Sequence, residues 1–347
     1  MKNYKVLKLT AILAAFSLIL VACSNTNNTT TKTEDEPVEV VENVETTEEV
    51  EDATVEITDI HGTVNVPVNP QTVIGLDNRT FDTLEALGVK LAAAPKDVMP
   101  PNSNYVLDES VLNIGNHREP NLEIIAAADP DLVIIGQRFA NYYDEIKKLV
   151  PNAVVLDFNY DVSVDAENAG DNLINGFKDS TLALGQIFDK NDEAQKIVDE
   201  FEKSLDDAKA AYNGTDTIMS IVVSGGEIGF SAPRSGRVWG PLYEIFNWTP
   251  ALEIEDASAD HKGDDVSVEA IAQSNPDWIF VLDRDASVAS AADSSSAKDV
   301  IENSPALQNT KAITEGNLLY APDDTYTNES IQTFTKLFQN ISEALGK

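Results

Sequence analysis

The chain of 347 residues holds one cysteine, three histidines, and 24 Lys and Arg against 59 Asp and Glu. A single cysteine excludes a disulfide framework. The histidines are scattered at His61, His117 and His261, with no HExxH pair, EF-hand loop or histidine-rich run, so a metal site built by the protein itself is poorly supported. The chain also lacks a GxSxG nucleophile elbow, a GxGxxG fingerprint and a GxxxxGK[ST] phosphate loop. A formal net charge of −35 repels nucleic acid and anionic lipid. Beyond residue 23 no stretch approaches the ~20 apolar residues that span a bilayer. Nothing in these patterns points to an enzyme, and no intrinsic cofactor is expected.

What is present begins with a processing segment at residues 1–23. Lys2, Lys5 and Lys8 precede an apolar run from Leu9 to Ala22, the arrangement of a secretory signal. The run ends in LVAC at Cys23, which resembles the bacterial lipobox; the resemblance implies a lipid anchor on Cys23. Residues 24–53 read as a tether. SNTNNTTTKT is polar and of low complexity, and the nineteen residues after it hold ten acidic side chains and no base. Such a segment cannot build a core and extends by self-repulsion. The expected location is the extracytoplasmic face of the cell membrane, lipid-anchored.

The folded part is organised around a passage that occurs twice. Residues 122–138 read LEIIAAADPDLVIIGQR and residues 268–284 read VEAIAQSNPDWIFVLDR. Each copy has a short helical pattern, a Pro-Asp break, a continuous apolar strand and an arginine just past its end. Continuous rather than alternating apolar strands imply burial on both faces, hence a parallel sheet. The fold class expected is α/β, with two Rossmann-like lobes joined by a single long helix and a ligand cleft between them. The first lobe covers 54–164, opening with a hairpin that turns at His61-Gly62 and continuing through strands at 71–78, 132–136 and 153–158. Residues 165–189 form the connecting helix, in which Gly170, Gly176 and Gly185 are locally weakening. The second lobe covers 190–347, with strands at 217–225, 278–283 and 317–322, a loop SAPRSGR ahead of a helix near Gly240, and a closing helix.

In so acidic a chain, six arginines stand out: Arg79, Arg118, Arg138, Arg234, Arg237 and Arg284. Ligands of parallel sheets gather beyond the carboxyl ends of the strands, which singles out Arg138 from the first lobe and Arg237 and Arg284 from the second. Guanidinium groups offer a fixed fork of donors and keep their charge in a partly dry site. Three of them suit a trianionic ligand, with Asn78, Tyr142, Trp239 and Tyr326 as further lining residues, Trp239 reading equally well as packing the start of its helix. The plain alternative is that these arginines are surface ion-pair partners. Trp248 and Trp278 read as core.

The lipobox, EPNLEIIAAADPDLVIIGQR, the SGRVWGPL loop and NPDWIFVLDR together resemble the ferric-siderophore-binding lipoproteins of bacterial ABC importers, over about residues 55 to 347. The wider class includes vitamin B12 and haem binders, and the catecholate or petrobactin-type subgroup is the more similar. The resemblance implies delivery of a ferric catecholate or mixed catecholate–carboxylate complex to an ABC permease dimer by a monomeric receptor, with iron carried in the ligand. Its three-arginine set falls on Arg138, Arg237 and Arg284. Its iron-ligating histidine and tyrosine fall near His261 and Tyr326, for chelates that leave iron sites open. His261-Lys262-Gly263 departs from the family order His-Gly-Lys, and Asn141 stands where a family lysine is usual. Permease docking through acidic residues places Glu119 or Glu123 on the first lobe and Glu244 on the second. Haem, cobalamin or hydroxamate chelates remain alternative ligands, and an adhesin or structural lipoprotein on the same scaffold is the alternative from a different class.

Overall fold

The computed structural model describes residues 53–288 and 295–347. The signal segment with Cys23, and the tether up to residue 52, lie outside the described residues. Among the described residues no helix is long and apolar enough to cross a membrane.

The first lobe opens with an antiparallel hairpin, β1 (Thr54–Asp59) and β2 (Gly62–Pro67), paired from Thr54↔Pro67 to Asp59↔Gly62. It turns at Ile60-His61, and Gly62 has φ +126°, a value open to glycine and costly for other residues. The main sheet holds β3 (Val73–Gly75), β4 (Ala93–Ala94), β5 (Leu112–Asn113), β6 (Leu132–Ile135) and β7 (Val154–Asp157) in the order β5-β4-β3-β6-β7, all parallel. In the second lobe, β8 (Thr217–Ser224), β10 (Thr249–Pro250), β11 (Trp278–Asp283) and β12 (Leu318–Tyr320) run parallel in the order β10-β8-β11-β12. The two α/β lobes expected from the repeated strand pattern are therefore present.

The repeated Pro-Asp carries a physical role in both lobes. Asp131 Oδ2 accepts the backbone N–H groups of Gln71 and Thr72, each at 2.8 Å. Asp277 Oδ2 accepts the N–H of Thr217 at 2.7 Å and its hydroxyl at 2.8 Å. Each aspartate thus pins the start of the strand beside its own, β3 in one lobe and β8 in the other. This satisfies backbone donors that would otherwise be left unpaired at a strand end.

Three elements differ from the sequence reading. Residues 71–78 are strand only over Val73–Gly75, and the rest forms a buried loop, 76–80. Glu227–Phe230, given no element in the sequence reading, is a strand (β9) antiparallel to β8. Gly229 lets the loop at Lys262-Gly263 pack directly on β9, since a Cβ there would lie 1.8 Å from the Lys262 carbonyl oxygen. The two-residue strand β10 was too short to show any period.

The helix Ala169–Ile187 joins the lobes and packs on the helix Asn191–Ala211. Phe177 sits between Phe201 and Phe334, with ring centroids 5.8 and 4.9 Å away. The glycines expected to weaken this helix mark its close approaches. A Cβ on Gly176 would fall 2.1 Å from the Tyr160 ring, and one on Gly185 would fall 2.5 Å from Ala194. A second tie crosses between the lobes just ahead of the closing helix, Ile331–Leu345. Asp82, in the short helix Phe81–Ala86, accepts Asn328 Nδ2 at 2.7 Å and Ser330 Oγ at 2.8 Å.

Candidate ligand-binding site

In each lobe the chain after the first strand winds to one side of the sheet and later returns to the other. The gaps between β3 and β6, and between β8 and β11, are therefore topological switch points where a crevice opens at the carboxyl edge. Arg79 follows β3 and Arg138 follows β6. Ser224 ends β8, and Arg284 follows β11 directly. The same rule places all four residues, although only the two arginines after the repeated strands stood out in the sequence.

The lobes meet at Tyr326. Arg138 Nη2 and Arg237 Nη2 donate to the Tyr326 carbonyl from opposite lobes, at 3.3 and 3.2 Å. The Arg237 guanidinium lies 4.4 Å from the centroid of the Tyr326 ring and that of Arg284 lies 5.3 Å away. Arg284 also donates to Ser224 Oγ at 3.2 Å, and its Nη1 is 4.0 Å from Asp285. Asp285 in turn accepts the Gly225 and Gly226 N–H groups at 2.9 and 3.1 Å, fixing the turn after β8. The three arginines singled out in the sequence are thus gathered around one tyrosine. Burial and Arg237 hold Arg138 below the usual guanidinium range, against the pull of Glu329; it still stays charged at any ordinary pH.

Beneath them lies a residue that no local pattern singled out. Glu329 is 5% exposed and binds Arg237 through one carboxylate oxygen. Its other oxygen takes Gln137 Nε2 at 3.2 Å and lies 3.7 Å from Arg79 Nη2. Burial opposes its ionisation, but Arg237, Arg79 and Arg138 outweigh that and hold its carboxyl below the usual range. Arg79, 3% exposed, rests 3.9 Å from the centroid of the Tyr160 ring. Among 59 acidic residues nothing in the local sequence marks Glu329. Arg79 carried a usable signal, its place after a strand. His117, dispersed and unremarkable in sequence, also belongs here: burial, Arg138, Arg118 and Arg237 lower its pKa, and its Nδ1 is buried without a partner. Arg79 Nε and Nη1, Arg237 Nε, Arg284 Nε and both amide atoms of Asn78 are likewise buried and unpartnered among the described residues. Most of these are donors, the polarity an anionic ligand requires.

The remaining candidates are placed unevenly. Trp239 does not offer a face to a ligand. It is wholly buried, 5.6 Å centroid to centroid from Phe280, because it enters the helix Gly240–Phe246 on the core side. Asn78 is also enclosed, at 1% exposure. Tyr142 is half-buried and donates to the Arg118 carbonyl at 3.2 Å. His261 is exposed, 3.7 Å from Asp260, on a loop that lines a small pocket together with Arg237. Among the described residues no group of three or more His, Cys, Asp and Glu side chains is arranged to hold a metal ion. Glu119 and Glu123 are exposed. Glu244 is exposed as well, but its carboxylate accepts the Gly170 N–H at 3.3 Å at the start of the connecting helix.

Two α/β lobes on one long helix, with guanidinium groups meeting where the strand ends face each other, define a two-lobed solute-binding protein. The chain belongs to the periplasmic binding protein family, whose profile matches residues 73–325. It is 29% identical over 294 residues to the petrobactin-binding protein YclQ of Bacillus subtilis, covering 83% of this chain and 86% of the relative. It is also 29% identical over 287 residues to the ferric-anguibactin-binding protein FatB of Vibrio anguillarum, covering 81% and 84%. The crystal structure of YclQ superposes with a TM-score of 0.69 at 27% identity, over 85% of this chain and 99% of that one. The siderophore-binding protein BauB, solved with two acinetobactin molecules and ferric iron, superposes with a TM-score of 0.71 at 26% identity, over 84% and 99%. The resemblance read from the lipobox, repeat and arginine loop is borne out at the level of the family.

Proposed function

We propose that this protein is an extracytoplasmic receptor, anchored through lipid on Cys23, that binds an anionic ferric siderophore complex of catecholate or mixed catecholate–carboxylate type. It then passes the complex to an ABC permease dimer for iron uptake. The observation that carries this reading is the gathering of Arg138, Arg237 and Arg284 around Tyr326 at the meeting of the lobes. Relatives named for petrobactin and anguibactin support the ligand class. Iron is cargo here, held by the chelate. His261 and Tyr326 are proposed as direct iron ligands only for chelates that leave coordination sites open. Glu119, Glu123 and Glu244 are the proposed permease contacts, with Glu244 the weakest candidate because it already caps the connecting helix.

Removal of one charge-assisted contact costs about 1.5–3 kcal/mol, which is about tenfold or more in affinity. The test is a tryptophan-quenching titration of the full chain in detergent with ferric catecholate, ferric catecholate–citrate and ferric hydroxamate complexes, with haem and cobalamin as controls. Tight quenching by a catecholate-containing complex, weakened in Arg138→Ala, Arg237→Ala and Arg284→Ala, is expected. Unchanged affinity in all three variants would refute the site.

A further inference from the structure

Two of the three arginines that mark this site, Arg237 and Arg284, are not free charges. Glu329 is built into their floor, buried, bonded to Arg237 and Gln137 and close to Arg79. A second carboxylate, Asp285, is buried against Arg284. Counting Arg79, Arg138, Arg237 and Arg284 against Glu329 and Asp285 leaves two positive charges, and Asp77 when ionised reduces that to one.

We infer that Glu329 is a specificity-determining counter-charge, which tunes the site to ferric complexes of low net negative charge, mono- or dianions, and disfavours trianions of the tris-catecholate kind. This inference rests on the siderophore-binding reading and narrows it. The physical ground is the cost of placing like charges together where water is scarce. Glu329 stays ionised because Arg237, Arg79 and Arg138 outweigh its burial. A ligand held by Arg138 and Arg237 therefore feels that carboxylate through a medium of low effective dielectric. At such distances each extra ligand charge is worth about tenfold or more in affinity. Glu329 also has no direct path to a ligand, being enclosed at 5% exposure. It acts through charge and through the position of Arg237 rather than by contact.

These two modes of action predict different results. Wild-type full chain would be titrated by tryptophan quenching with ferric bis-catecholate (a monoanion), ferric tris-catecholate (a trianion) and a neutral ferric trihydroxamate. The expected wild-type preference is for the monoanion. Glu329→Gln, which keeps an acceptor for Arg237 and drops the charge, should raise affinity for the trianion about tenfold or more relative to the neutral complex. Arg79→Gln should move the ratio the opposite way, although Arg79 is itself enclosed. Because Glu329→Gln leaves Arg79 buried without its counter-ion, the double variant Arg79→Gln/Glu329→Gln provides a second arm. Having no net charge change, it should return the ratio to the wild-type value.

Equal weakening of all three complexes in Glu329→Gln would mean that Glu329 only positions Arg237, and would overturn the inference. So would unchanged ratios in both single variants. Should wild type bind no chelate, the siderophore reading fails, and metal-free citrate becomes the probe. Citrate raising the melting temperature of Glu329→Gln more than that of wild type would still support the counter-charge, whereas equal shifts would overturn it.

Discussion

Replacing Asp77 with Asn should stabilise the protein, and should do so only above acidic pH. Asp77 is wholly buried after β3, with Oδ1 accepting the Arg79 N–H at 3.2 Å and Oδ2 unpartnered. Burial pushes its carboxyl up from 3.8 to about 6; Arg79 works against the shift, while Asp157 and Glu329 reinforce it. Between those two values the folded protein holds a proton that the unfolded chain has released. Stability contributed by this group therefore falls as pH rises from 3.8 to about 6 and stays low above that. At about 1.4 kcal/mol per pKa unit, ionised Asp77 costs at most about 3 kcal/mol near pH 8. Asn keeps the acceptor for the Arg79 N–H and stands in for the neutral carboxyl; the attraction to the Arg79 guanidinium is already contained in the shift, so the gain is up to about 3 kcal/mol near pH 8. Towards pH 4 the gain should vanish, since Asp77 is then neutral in the folded state. Urea unfolding of both proteins at the two pH values measures this directly. A stability difference that is the same at both would refute the assignment of the pH dependence to Asp77.

Two further outcomes test the frame that holds the site. Gly229→Ala places a methyl 1.8 Å from a backbone oxygen of Lys262, which cannot rotate away; a loss of about 1–3 kcal/mol in urea unfolding is expected, together with altered quenching of wild-type ligands as the His261 loop is displaced. Ser330→Ala removes the cap on the closing helix, where Oγ accepts the Thr333 N–H at 3.1 Å, and the bond to Asp82 across the lobes. It should cost about 1–2 kcal/mol, and a double-mutant cycle with Asp82→Ala should show coupling between the lobes; strict additivity would mean that the bond carries no energy.

Much of this molecule was readable before folding was considered. The continuous apolar runs at 132–135 and 278–282, the Pro-Asp break ahead of each and the arginine behind each are local patterns. A buried parallel strand and its carboxyl edge follow from them without knowledge of neighbours. That locality is why the two α/β lobes, and the placing of Arg138 and Arg284 beyond strand ends, were legible. Arg237 came from a loop position, and Trp239 beside it was left between lining the cleft and packing its helix, because a side chain at the start of a helix can turn inward or outward. The packed environment of Phe280 decided that direction.

Local pattern and composition specified the kind of architecture and the scarcity of positive charge that made three arginines conspicuous. The tertiary structure alone decided their electrostatic meaning. Glu329 bonds Gln137 from 192 residues away and Arg237 from 92, distances over which no periodicity or composition reports a contact. The connecting-helix glycines changed meaning for the same reason: their effect depends on what lies within a few ångströms, Tyr160 at one and Ala194 at another. Hydrophobic periodicity is a property of neighbours along the chain, whereas the charge a site presents is a sum over side chains brought together only by folding.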